Sequence, residues 1–189
     1  NVRDPETKFI RGKNSDGTWR DKKDQAISIW ARGTERDRDT YYRNITYFVP
    51  HDVQGLANFM GGNKQLEEHL DYFFANEYYY VGDEFSMHSP YLYNYIGAAW
   101  KTQKLIRELI DNNFTNEFGG LPGNEDCGQL SAWYIFGAMG FYPTCPGVPT
   151  YQIGSPSFEK VTMNLPNGKT FEVIANNNSK ENVYIQSAT

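Results

Sequence analysis

The strongest constraint on the fold is a change of rhythm at Pro146. Before it, apolar residues recur at helical spacing. Leu66, Leu70, Phe73 and Phe74 make one stripe, in a segment from Asn63 to Ala75 with Asn63 as its cap. Leu105, Ile106, Leu109 and Ile110 make another, within Thr102 to Asn112. Val53 to Met60 reads as a short helix after Pro50, and Pro90 opens one through Tyr93, Tyr95 and Ile96. After Pro146 the pattern shortens to strands: Thr150 to Ile153, Lys160 to Leu165, Thr170 to Ala175 and Asn182 to Gln186. Pro166-Asn-Gly-Lys between two of them is a hairpin turn. Helices first and antiparallel strands after define an α+β chain, with a helical portion over 1–146 and a strand segment over 147–189. Residues 1–38 lack a period and read as loop with short helical pieces.

The stretch Gly120-Leu-Pro-Gly-Asn-Glu-Asp-Cys-Gly-Gln-Leu puts a Gly/Pro turn before the helical pattern of Leu130, Trp133, Tyr134, Phe136 and Met139. Two adjacent acids, Glu125 and Asp126, fall at the mouth of that helix. Unpaired N–H groups and the helix dipole favour carboxylates there. Two readings stand together: the pair caps the helix, or one carboxylate is held out over a sugar or metal site. His69 lies off its helix's apolar stripe and reads as a surface histidine.

A net charge of −5 argues against nucleic acid as a partner. The basic run from Arg32 to Arg43 is interrupted by Glu35, Asp37 and Asp39 and reads as a solvated face. No apolar window approaches the ~18 residues of a membrane span. Two cysteines, Cys127 and Cys145, accompany sequons at Asn44, Asn113 and Asn177. This combination points to a secreted, cell-surface or lumenal eukaryotic protein with a Cys127–Cys145 disulfide and sugar on exposed loops at those asparagines. A cytoplasmic or bacterial protein with two thiols is the competing reading.

A collinear set of motifs carries more specific information. It comprises Phe48-Val-Pro-His-Asp-Val-Gln-Gly-Leu, Gly61-Gly, Gly82-Asp-Glu, Pro90-Tyr-Leu-Tyr-Asn-Tyr, Trp100-Lys-Thr-Gln, Pro122-Gly-Asn-Glu-Asp-Cys-Gly-Gln-Leu-Ser-Ala-Trp-Tyr, Gly140-Phe-Tyr-Pro and Tyr151-Gln-Ile-Gly-Ser-Pro. From about Asp39 onward the chain resembles glycoside hydrolase family 92, the calcium-dependent inverting exo-α-mannosidases. The resemblance implies the last helices of an (α/α)6 barrel followed by terminal strands. Family members are several times longer, so an N-terminal β-sandwich portion, on the same protein or an associated chain, is an expected partner. A mannose-containing glycan is the implied substrate.

The resemblance also assigns roles. Asp126 matches the general base of an inverting hydrolase, and Asp39 stands where the family has its acid, a Glu one methylene longer. Arg43, Asn44 and Ile45 hold the following Trp-Gln-Tyr positions. Asn124 replaces an acid that orients the attacking water. Asn124, Glu125, His88 and His51 are the implied substrate contacts. Glu84 and Asp83 are the implied ligands of Ca2+, a hard cation that takes several oxygens. These features support an α-mannosidase. The departures at Asp39, Arg43 and Asn124 support an alternative, a catalytically silent or altered structural or carbohydrate-binding component of a secreted assembly. A third reading is altered specificity, with Arg43 contacting an anionic group on a mannose-phosphate substrate.

Overall fold

The structure, a computed structural model, describes residues 2–20 and 42–189. By contacts the chain divides into two units, Asn1–Tyr80 and Val81–Thr189. The change of secondary structure near residue 146 therefore falls inside the second unit, which holds the later helices and all four named strands.

In the first unit residues 42–47 are helical (α1), followed by α2 (Val53–Met60) and α3 (Asn63–Ala75). Asp52 caps α2 by accepting the Gly55 N–H at 2.8 Å. The helix stops at Gly61, whose φ of 112° lets it take the left-handed closing conformation. The expected cap of α3 shifts by one: Gly62 occupies that position, and Asn63 is already helical. The Leu66, Leu70 and Phe73 stripe is fully buried, as are Tyr47 of α1 and Leu56 and Ala57 of α2. Phe73 meets Tyr47 edge-on at 5.1 Å. Residues 2–20 contain no helix. They form antiparallel bridges, Arg3 with Ile10 and Lys13 with Trp19. They dock on α1 through the Ile10 N–H, which reaches the Thr46 hydroxyl at 2.9 Å.

In the second unit two 3₁₀ turns, Glu84–Ser86 and Ser89–Tyr91, lead into α4 (Leu92–Tyr95), α5 (Ala99–Asn113) and α6 (Gln129–Met139). Short strands follow: β1 (Phe141–Tyr142), β2 (Gln152–Ile153), β3 (Lys160–Asn164) and β4 (Thr170–Ile174). The β1–β2 and β3–β4 pairs are both antiparallel. The fold class read from the sequence is the observed one. The segment Asn182–Gln186 is not a strand. Gln103 accepts the Ile185 N–H at 3.0 Å, and Ser155 donates to the Val183 carbonyl at 2.7 Å, so these backbone groups bond to side chains instead of a ladder. Arg107 is a polar anchor on the buried face of α5. Its guanidinium donates to the carbonyls of Pro156 and Ser179 and to Asn178 Oδ1. α6 sits close to α5, since a Cβ at Gly137 would lie 3.2 Å from Ile110 Cδ1. Trp133 of α6 is fully buried, and its indole N–H donates to the Met87 carbonyl at 2.9 Å. That bond ties the helix to the turn that carries Glu84 and His88.

Candidate active site

Two bare stretches of backbone bring the acidic residues of the second unit together. A Cβ on Gly123 would fall 2.8 Å from both Cα and O of Gly82, so only glycine allows this approach. The contact sets Asn124, Glu125 and Asp126 beside Asp83 and Glu84, some forty residues earlier in sequence. Immediately afterwards the backbone turns through three left-handed positions, Asp126 (φ 41°), Cys127 (φ 61°) and Gly128 (φ 88°). Left-handed conformation costs a non-glycine residue about 1 kcal/mol or more. The strain sits on the residue matched to the catalytic base.

The acidic pair divides its labour. Glu125 reaches over the first turn of α6, where its two carboxylate oxygens accept the N–H of Ser131 at 3.1 Å and its hydroxyl at 2.8 Å. Glu125, expected among the substrate contacts, thereby satisfies a backbone N–H in the first turn of α6, whose cap position is held by Gly128. Its neighbour Asp126 is exposed and hydrogen-bonds the carboxyl of Glu84. The bond to Asp126 holds the Glu84 pKa above its ordinary value. Burial pushes the same way, a backbone hydrogen bond at Glu84 opposes it, and the charges of Asp126 and Asp83 add weaker upward pushes. Asp83, half-buried, is also raised by burial.

These carboxyls suit a hard cation in one respect. Glu84 Oε1 is buried without a hydrogen-bond partner, beside a second carboxyl, Asp126. The donors are oxygens, as calcium requires. No cluster of three or more His, Cys, Asp or Glu side chains is arranged to hold a metal among the described residues. Further oxygens of a full shell would have to come from amides, carbonyls or water.

The remaining sequence-derived residues are distributed as follows. His88 is buried, at 4% exposure, directly after the Met87 carbonyl that Trp133 holds. Asn124 is exposed on the same turn as Asp126. His51 is exposed in the first unit, next to the cap Asp52. Asp39 lies outside the described residues. The disulfide is not formed: Cys127 and Cys145 are free thiols. They stand before and after α6, an 11-residue helix about 16 Å long. The expectation of an exposed loop fails at Asn44. It lies in α1 at 1% exposure, and its Nδ2 donates to the Tyr78 carbonyl at 3.3 Å. Asn113 is half-buried at the end of α5, its amide on the Leu109 carbonyl, while Asn177 is exposed on a turn.

Sequence reasoning also misplaced His69. It is half-buried and meets the Phe9 ring edge-on at 5.6 Å. Burial lowers its pKa, and the Arg43 charge lowers it further, against a smaller opposing effect of Glu68. The signal available in sequence was its place one turn from Tyr72 and Phe73 on α3.

The glycosyl hydrolase family 92 catalytic domain matches residues 1–189, and the chain belongs to that family. It is 34% identical over 97% of its length to an uncharacterized secreted glycosidase of Arthroderma benhamiae, of which it covers 26%. A family GH92 α-mannosidase of Bacteroides thetaiotaomicron superposes with a TM-score of 0.82 at 39% identity, over 97% of this chain and 25% of that one. A GH92 inverting mannosidase of the same organism gives 0.73 at 36% identity, over 94% and 27%. The chain therefore spans about a quarter of the length of these relatives. The helices and short strands correspond to the C-terminal part of the family's α/α barrel. Among the described residues no helix is long and apolar enough to cross a membrane.

Proposed function

We propose that the protein containing this chain hydrolyses terminal α-mannosyl linkages of glycans with inversion and with calcium assistance. The observation that carries this reading is the strained turn that drives Asp126 onto Glu84 while Glu125 bonds the first turn of α6. An inverting hydrolase needs a carboxylate that removes a proton from water on one face of the sugar and a carboxyl that protonates the leaving oxygen on the other. Asp126 is the base. It is exposed, spared from bonding the helix, and fixed to within the freedom of three left-handed residues. Asn124 orients the same water through its amide, and His88 lies on the turn after Glu84 as a sugar contact. Asp39 is the acid, supported by its match to the family position alone. Glu84, with Asp83 beside it, is the calcium ligand. Calcium, when bound, would neutralise the paired carboxylates and polarise the oxygens it binds. Bound there, the cation would favour the ionised form of Glu84.

Membership of a glycosidase family and the name of the Arthroderma relative support a secreted glycosidase whose remaining portion belongs to the same protein. Sugar on Asn113 or Asn177 is part of this proposal, and Asn44 is not. The experiment is proton NMR of an α-mannoside during hydrolysis by the whole protein, with and without chelator. β-Mannose appearing first, and hydrolysis stopping on chelation, support the reading. First-formed α-mannose, or chelator-resistant hydrolysis, refutes the inverting or the calcium part respectively.

A further inference from the structure

We propose that Phe118 sets the preference for substrate length, its ring serving as a platform for the sugars on the leaving side of the scissile bond. This inference rests on the mannosidase reading of the acidic turn. Phe118 is wholly exposed, at 109%, whereas the other exposed large apolar side chains of the described residues lie between 38% and 62%. A phenylalanine ring left entirely in water forgoes the burial that such side chains ordinarily find. Its place is nevertheless fixed from both sides. Before it, Phe114 stacks on the buried Trp133 of α6 at 5.8 Å and leans on Tyr134 at 5.0 Å. After it, the backbone closes on itself. The Thr115 N–H donates to the Gly120 carbonyl at 3.0 Å, and the Gly120 N–H donates to the Glu117 carbonyl at 2.9 Å. A Cβ on Gly120 would fall 2.1 Å from the Thr115 carbonyl oxygen, so this closure needs glycine. Beyond it, Gly123 seats against Gly82 and delivers Asn124 and Asp126.

The connection from α5 to α6 runs from Phe114 to Gly128, at the end of the helix pair where α5 finishes and α6 starts. Phe118 and Asp126 both lie on it. Fully extended, the chain between them would span at most about 29 Å. Bends and turns at residues 116–119 and 121–123 shorten that span. Leu121, 40% exposed, lies between the ring and Asn124 along the chain. An enzyme that removes a terminal sugar encloses that one unit, so the rest of the glycan must pass out over the rim. A connection that carries the base is part of that rim. A pyranose ring presents a face of C–H groups, which is apolar and slightly positive. It suits the negative face of an aromatic ring. Phenylalanine has no polar handle, so it reads the presence of a second sugar and not the pattern of its hydroxyls. A loop pinned at both ends offers the platform ready-formed, which lowers the ordering cost of binding.

The test compares two substrates of the whole protein. In α-mannosyl fluoride the leaving group is a single atom that cannot reach Phe118. In methyl α-mannobioside it is a sugar. Phe118→Ala should lower kcat/KM for the disaccharide at least about fivefold and leave the fluoride within about twofold. Phe118→Tyr keeps the ring and should restore the disaccharide rate. The thermal midpoint should not move, because the ring is exposed. The proposal is overturned if Phe118→Ala slows both substrates equally or neither. It is equally overturned if that variant loses its fold or its midpoint drops, since the ring would then be packed against another part of the whole protein. If the unaltered protein hydrolyses neither substrate, the mannosidase reading fails by itself, and isothermal titration decides the platform. Methyl α-mannobioside should then bind more tightly than methyl α-mannoside, and Phe118→Ala should remove that advantage. Equal binding of the two, no binding of either, or an advantage that survives Phe118→Ala would overturn the platform as well.

Discussion

Replacing Gly123 by alanine tests how the acidic turn is seated. The new methyl would stand 2.8 Å from Gly82 Cα and 2.8 Å from Gly82 O, with the Gly82 carbonyl carbon at 3.2 Å. Carbon atoms are comfortable at about 3.5–4.0 Å, so the two backbones must part by roughly 0.7–1 Å. Neither neighbour is a flexible side chain that can swing away. Overpacking of this kind costs about 1–3 kcal/mol. The functional cost is larger in proportion, because the contact positions Asp126 against Glu84. A displacement of about 1 Å in a catalytic group can lower the rate about 100-fold. The assay is the initial rate on an aryl α-mannoside together with the thermal unfolding midpoint. Gly168→Ala is the control. Its φ of +77° gives alanine a conformational penalty of about 1–2 kcal/mol, but open space surrounds it at the β3–β4 turn. Gly168→Ala should lose stability and keep its rate. Gly123→Ala should lose both. A Gly123→Ala protein within about threefold of the unaltered rate would refute the idea that this contact seats the site.

Two further outcomes concern stability. Burial alone would raise the Asp4 pKa, but hydrogen bonds from Arg11, Thr7 and the backbone of residues 6 and 7 outweigh it and bring the value from 3.8 down to about 2. A depressed folded pKa contributes stability above the unfolded value and loses it as pH falls toward the folded one. Asp4→Asn should therefore cost up to about 2 kcal/mol near neutral pH and have little effect near pH 2, as read by thermal midpoints across that range. Trp133→Phe removes the donor to the Met87 carbonyl and leaves a void at a fully buried site, so the midpoint should drop by an amount equivalent to about 2–3 kcal/mol, and a midpoint unchanged within error would contradict the packing described.

Much of the fold was legible because helices announce themselves locally. The bounds of α2 and α3 follow from an apolar stripe and from glycines that stop or start it, information carried within a dozen residues. The Pro166-Asn-Gly-Lys turn identified β3 and β4 for the same reason. Asn182–Gln186 has strand-like residues, but its backbone found side-chain partners on α5 and at Ser155, and such long-range competition leaves no mark in a local window. The candidate site was legible only as a string of acids. Which acid bonds the first turn of α6 depends on the left-handed turn at Asp126–Gly128, and alternation of residue types does not encode backbone sign. The Gly82–Gly123 approach joins residues far apart in sequence. It has no local signature. The Cys127–Cys145 pairing failed because an even cysteine count says nothing about the length of helix standing between the two thiols.

The most direct measurement of the central claim is the initial rate of an Asp126→Asn variant of the whole protein on an aryl α-mannoside. Asparagine is nearly the same size and can keep a hydrogen bond to Glu84, so the thermal midpoint should hold. It cannot remove a proton from water, so the rate should fall by roughly 10²–10⁴-fold, the usual contribution of a positioned base. A folded Asp126→Asn protein that retains its rate within about tenfold would contradict the assignment of Asp126 as the base.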